Sequence, residues 1–115
     1  MNTPGGFYLT KTLQAAAGAT GDGQPLRLAG DAVGGLEMVA IQLTGTFTAT
    51  VTFEASLDGN TWAAVRFTPL ATGTASTTAT AVGIYQANLK GCAWVRARIS
   101  AYTDGAVTAL AAVVA

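Results

Sequence analysis

Residues 46–57 read TFTATVTFEASL, and apolar and polar side chains alternate throughout this stretch. Strict alternation with a period of two residues predicts a β-strand with one buried face and one solvated face. The apolar side chains, which we expect to face the core, are Phe47, Ala49, Val51, Phe53, Ala55 and Leu57. The other positions are threonines together with Glu54 and Ser56, which we expect on the solvated face. Threonine suits a strand because its β-branched side chain is stiff.

The turn after this strand is Asp58-Gly59-Asn60. Asp-Gly between two alternating runs is a strong hairpin signal, because glycine and asparagine tolerate a positive φ. The return strand is expected over residues 61–68 and is ended by Pro69. A second hairpin is predicted at Thr103-Asp104-Gly105, between strands over residues 93–102 and 107–114.

The rest of the sequence also predicts β-strands. Alternation predicts further strands around Val39, Ile41 and Leu43 and over residues 83–89, whereas residues 70–81 form a loop rich in threonine and alanine. No convincing helix pattern is present. The chain is therefore predicted to be all-β, an antiparallel β-sandwich or jelly roll of about seven strands. Residues 1–35, rich in glycine and poorly periodic, are expected to form an N-terminal arm with short strands, and residues 36–115 the β-sandwich domain.

Composition limits the classes of function. The 115 residues suffice for one domain, and six basic side chains balance six acidic ones, so the net charge is zero. Nucleic-acid binding by phosphate neutralisation requires a cationic surplus that this chain lacks. With no histidine and one cysteine, neither a disulfide framework nor a Cys/His zinc site is expected. We expect no metal, no cofactor and no nucleic-acid partner.

Catalytic residues are not indicated either. The missing histidine removes the commonest general base. Asp22, Asp58 and Asp104 each precede a glycine in a turn signature, where aspartate caps its own backbone. Cys92 has no histidine partner, so we interpret it as a structural thiol. A glycosidase pair of carboxylates stays open, because such partners meet only in the fold. We expect that the protein is not an enzyme.

Neither targeting nor a membrane span is indicated. The first six residues lack the basic and apolar regions of a signal peptide. The longest apolar stretch, residues 106–115, is shorter than the roughly 20 residues of a membrane helix. We therefore expect a protein made in the cytoplasm, with no membrane partner.

One candidate interaction surface lies on the strand over residues 93–102. Alternation puts four large side chains on the face opposite the predicted core: Trp94, Arg96, Arg98 and Tyr102. Tryptophan, tyrosine and arginine are enriched in the residues that dominate interface energies. Two alternatives stay open: Trp94 packs under a loop while the arginine stems cover apolar surface, or the aromatic rings form a platform for a sugar.

A second candidate surface involves the two ends of the chain. The last strand is apolar on both faces, and one of them carries Leu110 and Val114. Such a strand is either central in a sheet or covered by another subunit, so these two residues are interface candidates. Phe7 and Tyr8 in the arm are two more. The zero net charge also favours self-association, because it removes the repulsion that keeps molecules apart.

Three segments together carry a family resemblance. They are residues 51–62 (VTFEASLDGNTW), residues 83–91 (GIYQANLKG) and residues 95–99 (VRARI), followed by the Asp104-Gly105 turn. The series resembles small β-sandwich virion proteins of tailed bacteriophages, including head decoration proteins that stabilise the capsid. It covers roughly residues 41–113 and brings no catalytic residues with it.

The resemblance implies a structural role on the virion surface, after synthesis in the bacterial host cytoplasm. It implies capsid decoration by binding across subunits of the major capsid protein, as a homo-oligomer. A trimer is favoured, since decoration proteins commonly sit at three-fold positions of capsid lattices. The Ser-x-Asp-Gly-x-x-Trp hairpin also occurs in galactose-binding-like jelly rolls. A carbohydrate- or host-surface-binding module and a tail or baseplate accessory protein therefore stay open as alternatives.

Overall fold

The computed structural model describes residues 8–28, 38–89 and 91–114, and it confirms the predicted antiparallel β-sandwich. Ten strands in these residues form two sheets. The first sheet has the strand order β1 (Tyr8–Ala17), β10 (Val107–Val114), β3 (Met38–Thr44), β8 (Gly83–Asn88) and β6 (Thr68–Pro69). The second has the order β2 (Leu26–Arg27), β9 (Trp94–Gly105), β4 (Phe47–Ser56) and β5 (Ala63–Ala64), and β7 (Thr78–Ala79) also pairs with β4. The described part of the chain contains no helix long and apolar enough to cross a membrane.

The core lies between the sheets and includes most of the side chains that the alternation placed inward. Val39, Ile41 and Leu43 of β3 are buried, as are Val51 and Phe53 of β4. An aromatic group joins the sheets. The Phe53 ring of the second sheet stacks on Phe67 with centroids 4.5 Å apart and contacts Tyr85 of the first sheet at 5.4 Å. Leu57 was expected inward but is 73% exposed, because β4 ends at Ser56 and Leu57 begins the turn.

The first predicted hairpin is present but short. β5 pairs with β4 only through Glu54↔Ala64 and Ala55↔Ala63. The chain then leaves the second sheet, buries Phe67 in the core and joins the first sheet as β6. Residues 70–81 are more ordered than a plain loop, because they contain β7, whose Ala79 is buried.

The second predicted hairpin is wrong. β9 belongs to the second sheet and β10 to the first, so Thr103, Asp104 and Gly105 are the last residues of β9, and the chain passes from one sheet to the other at Ala106. Gly105 has a φ of 96°, and a Cβ there would collide with the carbonyl oxygen of Thr46. The turn signal in the sequence marks a reversal of direction, but it does not say which sheet the next strand joins.

Residues 8–28 contribute to both sheets. β1 pairs with β10 along the edge of the first sheet, β2 pairs with β9, and Leu13, Leu26 and Leu28 are buried in the core. This part of the expected arm is therefore part of the sandwich. The expected domain boundary between residues 35 and 36 lies outside the described residues and stays a prediction.

Replacing Phe53 with alanine should destabilise the protein by about 3–5 kcal/mol, because the change leaves a cavity beneath Phe67 and Tyr85. Urea unfolding followed by circular dichroism measures the loss. Leu57→Ala is the control, and its effect should stay within about 0.5 kcal/mol because Leu57 is exposed. Equal effects of the two substitutions would contradict the packing described for Phe53.

The turn after β4 contributes to the stability of the fold in a way that depends on pH. The backbone amides of Thr61 and Asn60, at 2.9 and 2.8 Å, donate to Asp58 Oδ1 and, together with the Ser56 hydroxyl, lower the pKa of this carboxyl from its ordinary 3.8. A carboxyl whose pKa is lowered in the folded state stabilises the fold above its unfolded pKa. That contribution is lost as the pH falls through the folded pKa.

Asp58→Asn should therefore make the free energy of unfolding less dependent on pH below about pH 4. The measurement is urea unfolding at a series of pH values. Asn60→Ala is the matched control: it leaves both backbone amides in place and should keep the dependence of the wild type. If Asp58→Asn also kept that dependence, Asp58 would not be its source.

Candidate interaction surface

A cluster of opposite charges lies on the outer face of the second sheet. The register of β4 and β9 sets Glu54 opposite Arg96 and Thr52 opposite Arg98. The connection between β1 and β2 adds Asp22, since Gly21 beside it exchanges backbone hydrogen bonds with Ile99 of β9. Asp22, Glu54, Arg96 and Arg98 are called the arginine–carboxylate cluster below.

Each arginine in this cluster contacts both carboxylates. Arg96 Nε donates to Glu54 Oε1 at 2.8 Å, and Arg96 Nη1 lies 3.5 Å from Asp22. Arg98 lies 3.6 Å from an oxygen of Asp22 and 3.6 Å from an oxygen of Glu54. Two positive and two negative groups balance, so the cluster carries no net charge.

Glu54 was expected on a solvated face, and the structure corrects this. Its side chain is only 11% exposed and that of Arg96 15%, whereas Arg98 is 43% exposed. Ser56 at the end of the same strand is also buried. The reason is tertiary, because Asp22 from a distant connection and Trp62 after the turn cover this end of the sheet. The Arg96 guanidinium lies 4.2 Å from the centroid of the Trp62 ring.

The other two candidates on β9 have contacts within the chain. Trp94 packs on the turn, where a Cβ added to Gly59 would lie 3.1 Å from the indole nitrogen, and Arg27 lies 5.5 Å from its ring centroid. This arrangement supports the alternative in which Trp94 packs under a loop. Tyr102 lies on the core face, not with the arginines, and its hydroxyl donates to the Gly105 carbonyl at 2.7 Å.

A shift in strand register explains the position of Tyr102. Val51 pairs with Ile99 and Thr50 with Ala101, so Ser100 is an extra residue in β9. An extra residue reverses the alternation beyond it. Tyr102 therefore sits opposite Ala49 on the core face, and Ala101 becomes exposed.

The described residues give little support for a metal site, a reactive thiol or a charged ligand pocket. They contain no group of three Asp, Glu, Cys or His side chains that could hold a metal ion. Cys92 is a free, half-buried thiol. A pocket of about 310 Å³ opens at the Phe47 end of β4. Its lining residues are uncharged: Phe47, Thr48, Ala49, Thr50, Thr80, Ala101 and Thr103.

The outer face of the first sheet has a different chemistry. β10 is central between β1 and β3, as one alternative predicted, and its inward side chains are fully buried. Its outward Leu110 is 38% exposed. Tyr8 and Val114 pair at one end of this sheet, and their side chains lie outside the described part, as does the whole of Phe7.

Sequence reasoning missed two exposed apolar residues on this face, Met38 and Ile84, which are 45% and 40% exposed. The alternation in the sequence already indicated that both residues point outward. Val39 and Tyr85 were placed inward by alternation, so their neighbours Met38 and Ile84 had to point outward. The sheet pairing that brings them onto one face with Leu110 was not available from the sequence.

Two solved structures share this fold. The SPBc2 prophage-derived protein YomS superposes with a TM-score of 0.84 at 16% identity, covering 96% of this chain and 95% of that chain. The PBSX exported protein XepA superposes with a TM-score of 0.88 at 14% identity. That match covers all of this chain and 40% of XepA, so this chain spans less than half the length of XepA.

Comparison by sequence adds no relative. No protein-family profile matches the chain, and no curated protein matches it. At 14–16% identity the structural likeness shows the fold alone, because one fold hosts many functions.

Replacing Arg96 with alanine should destabilise the protein by about 2–3 kcal/mol, because Glu54 then stays largely buried without its closest partner. Arg98→Ala removes a more exposed arginine from the same cluster and should cost less than about 1 kcal/mol. Urea unfolding measures both. In the Arg96→Ala background, Glu54→Gln should restore part of the loss because it removes the unpaired charge. Equal losses for the two arginine variants would contradict the different roles given to Arg96 and Arg98.

Proposed function

We propose that this chain is a structural protein of a tailed bacteriophage that stabilises the capsid by binding across subunits of the major capsid protein. The observation that carries the proposal is the fold, which spans nearly the whole of this chain and of prophage-derived YomS and occurs again in XepA from PBSX. The sequence resemblance to small phage virion proteins points in the same direction. In this proposal the protein is made in the bacterial host cytoplasm and ends on the virion surface.

The mechanism is the addition of interface area. A protein that binds only the assembled shell stabilises it by mass action, in proportion to occupancy and affinity. A sandwich suits this role because each sheet presents a broad, rigid outer face. Binding through a broad face does not require a deep cleft. In this chain, one such face exposes three apolar side chains, those of Leu110, Met38 and Ile84.

We propose a role without catalysis, since three of the described carboxylates, Asp22, Glu54 and Asp58, have structural partners. Asp58 holds the turn after β4, and Asp22 and Glu54 are bridged by arginines. The fold does bring Asp22 and Glu54 together, as a glycosidase pair would require. However, Arg96 and Arg98 each contact both carboxylates, so guanidinium groups fill the space in which a glycosidic bond would have to lie.

The carbohydrate-binding alternative has weaker support from the geometry. A sugar platform needs an open aromatic face. Trp62 has the Arg96 guanidinium over its ring, and Trp94 has the turn at Gly59 and the Arg27 guanidinium against it. A tail or baseplate location is consistent with the same fold and is separated from the capsid location by the experiment below.

The proposal is tested on particles purified from a phage that encodes the chain and from the same phage with the gene deleted. We expect the chain to be present in many copies on the head, visible by cryo-electron microscopy between major capsid subunits. We also expect deleted particles to release DNA at a lower temperature, and purified chain to restore their heat resistance. Absence from the particles would refute the proposal, and density confined to the tail would favour the accessory-protein alternative. A glycan array tests carbohydrate binding in parallel.

A further inference from the structure

The pocket at the Phe47 end of β4 lies where β4 and β7 stop pairing. Their register pairs Val51 with Ala79 and would next pair Ala49 with Ala81, but this pair does not form. The Ala81 carbonyl instead accepts a hydrogen bond from the Tyr85 hydroxyl of the first sheet at 2.7 Å. The cavity of about 310 Å³ lies at the resulting gap and is called the threonine pocket below.

The shape of β9 forms another part of this pocket. Two residues of β9, Ser100 and Thr103, have no pairing partner in β4. Extra residues of this kind bend a strand and are frequent beside binding sites. The bent section exposes Ala101 and Thr103, and both line the pocket. The concavity therefore results from the pairing irregularities of two strands that flank β4.

Four threonine side chains line the threonine pocket, and their hydroxyls have no hydrogen-bond partner among the described residues. They are Thr48, Thr50, Thr80 and Thr103. By contrast, the hydroxyl of Thr52, the next threonine on the same face of β4, lies 2.7 Å from the Ser100 hydroxyl. A threonine hydroxyl both donates and accepts hydrogen bonds. The pocket thus offers several unpaired donors and acceptors.

The backbone of Ala49 adds one more donor and one more acceptor. The Phe53 amide donates to the Thr77 carbonyl, and the Phe53 carbonyl accepts from the Val65 amide, each at 2.9 Å on the side away from β9. Every second residue of a strand directs its N–H and C=O to the same side. Those of Ala49 therefore face the gap beyond β7.

The lining of the threonine pocket selects the chemistry of its ligand. None of the lining residues is charged, and the adjacent Asp104, which pairs with Thr48, is acidic. An anionic ligand would find no cation among these residues. A hydrocarbon ligand would cover the threonine hydroxyls without pairing them, and an unpaired buried hydroxyl is costly. A neutral ligand rich in hydroxyl groups avoids both costs.

We propose that the threonine pocket binds one neutral sugar unit. Its hydroxyls pair with the threonine hydroxyls and with the Ala49 backbone, and its C–H groups contact the Phe47 ring and the Ala101 methyl. Small-molecule sites span roughly 300–1,000 Å³, so a cavity of about 310 Å³ suits one sugar ring better than a larger ligand.

An extended peptide fits this site less well than a sugar. Strand addition gains its affinity from a row of backbone hydrogen bonds along a sheet edge. The open edge of β4 on the β7 side spans only residues 47–50, because β4 begins at Phe47 and pairing with β7 begins at Val51. Alternation leaves at most two of these residues facing the gap.

This inference does not rest on the proposed function, and it concerns a different place from the two tryptophans considered there. The purified chain is sufficient to test it. A chain that binds no sugar yet decorates heads would overturn the sugar site and leave the capsid role standing. A chain that binds sugar at this pocket but is absent from particles would do the reverse.

The test is titration of the isotope-labelled full chain followed by backbone amide NMR. The probes are the methyl glycosides of glucose, galactose, mannose, rhamnose and N-acetylglucosamine, each up to about 20 mM, where a millimolar Kd is measurable. We expect at least one of them to shift the amides of residues 48–50 and 101–103 and to leave those of β3 unchanged. The methyl glycoside of glucuronic acid is the anionic control and should bind more weakly than the glucoside.

Thr50→Val and Thr103→Val should each weaken binding about fivefold, because each removes one hydroxyl and keeps the shape of the side chain. The matched control is Thr12→Val, which makes the same change at an exposed position of β1 and should leave the affinity unchanged. Thermal melts confirm that each variant is folded.

Three results would overturn the proposal. The first is that none of the five neutral glycosides shifts the amides at the pocket. The second is that both valine variants bind as tightly as the wild type. The third is that a capped tetra-alanine peptide shifts these amides and the sugars do not, which would indicate strand addition. A neutral-glycan array then distinguishes the source: array binding indicates the end of a longer glycan, and binding of methyl glycosides alone indicates a free sugar.

Discussion

The contact on which the rest of the structure depends is the aromatic packing between the sheets. Phe53 comes from the second sheet, Tyr85 from the first, and Phe67 from the connection that carries the chain from one to the other. All three side chains are buried, with ring centroids 4.5 and 5.4 Å apart along the group. A chain of this size has one core, so this packing sets how the two sheets face each other. The outer faces of the two sheets take no part in this packing.

Those outer surfaces have opposite characters for a physical reason. On the second sheet, the register of β4 and β9 brings Glu54 against Arg96, and a distant connection adds Asp22. Ionised groups that pair within the chain need no outside partner. On the first sheet, Leu110 and Ile84 are 38% and 40% exposed, and Gln42 lies between them on the neighbouring strand β3.

Low sequence identity to the two prophage-derived proteins is compatible with a shared fold. A sandwich core accepts different apolar side chains provided that volume and alternation are kept, so 14–16% identity accompanies TM-scores above 0.8. This chain and the two prophage-derived proteins thus share a scaffold, and a shared scaffold does not by itself set what each protein binds. In this chain a few outer residues distinguish the two faces. Leu110 represents the exposed apolar residues of the first sheet, and Arg96 represents the ion-paired residues of the second.

The amino-acid sequence by itself determined the strands and most of their buried faces, because alternation is a local property of an extended backbone. Val51, Phe53 and Val95 were placed correctly for that reason. Tertiary structure alone decided which sheet each strand joins, since strand pairing is a contact between distant residues. It placed β10 in the opposite sheet from β9, turned Tyr102 inward through the extra residue Ser100, and buried Glu54 beneath partners remote in sequence.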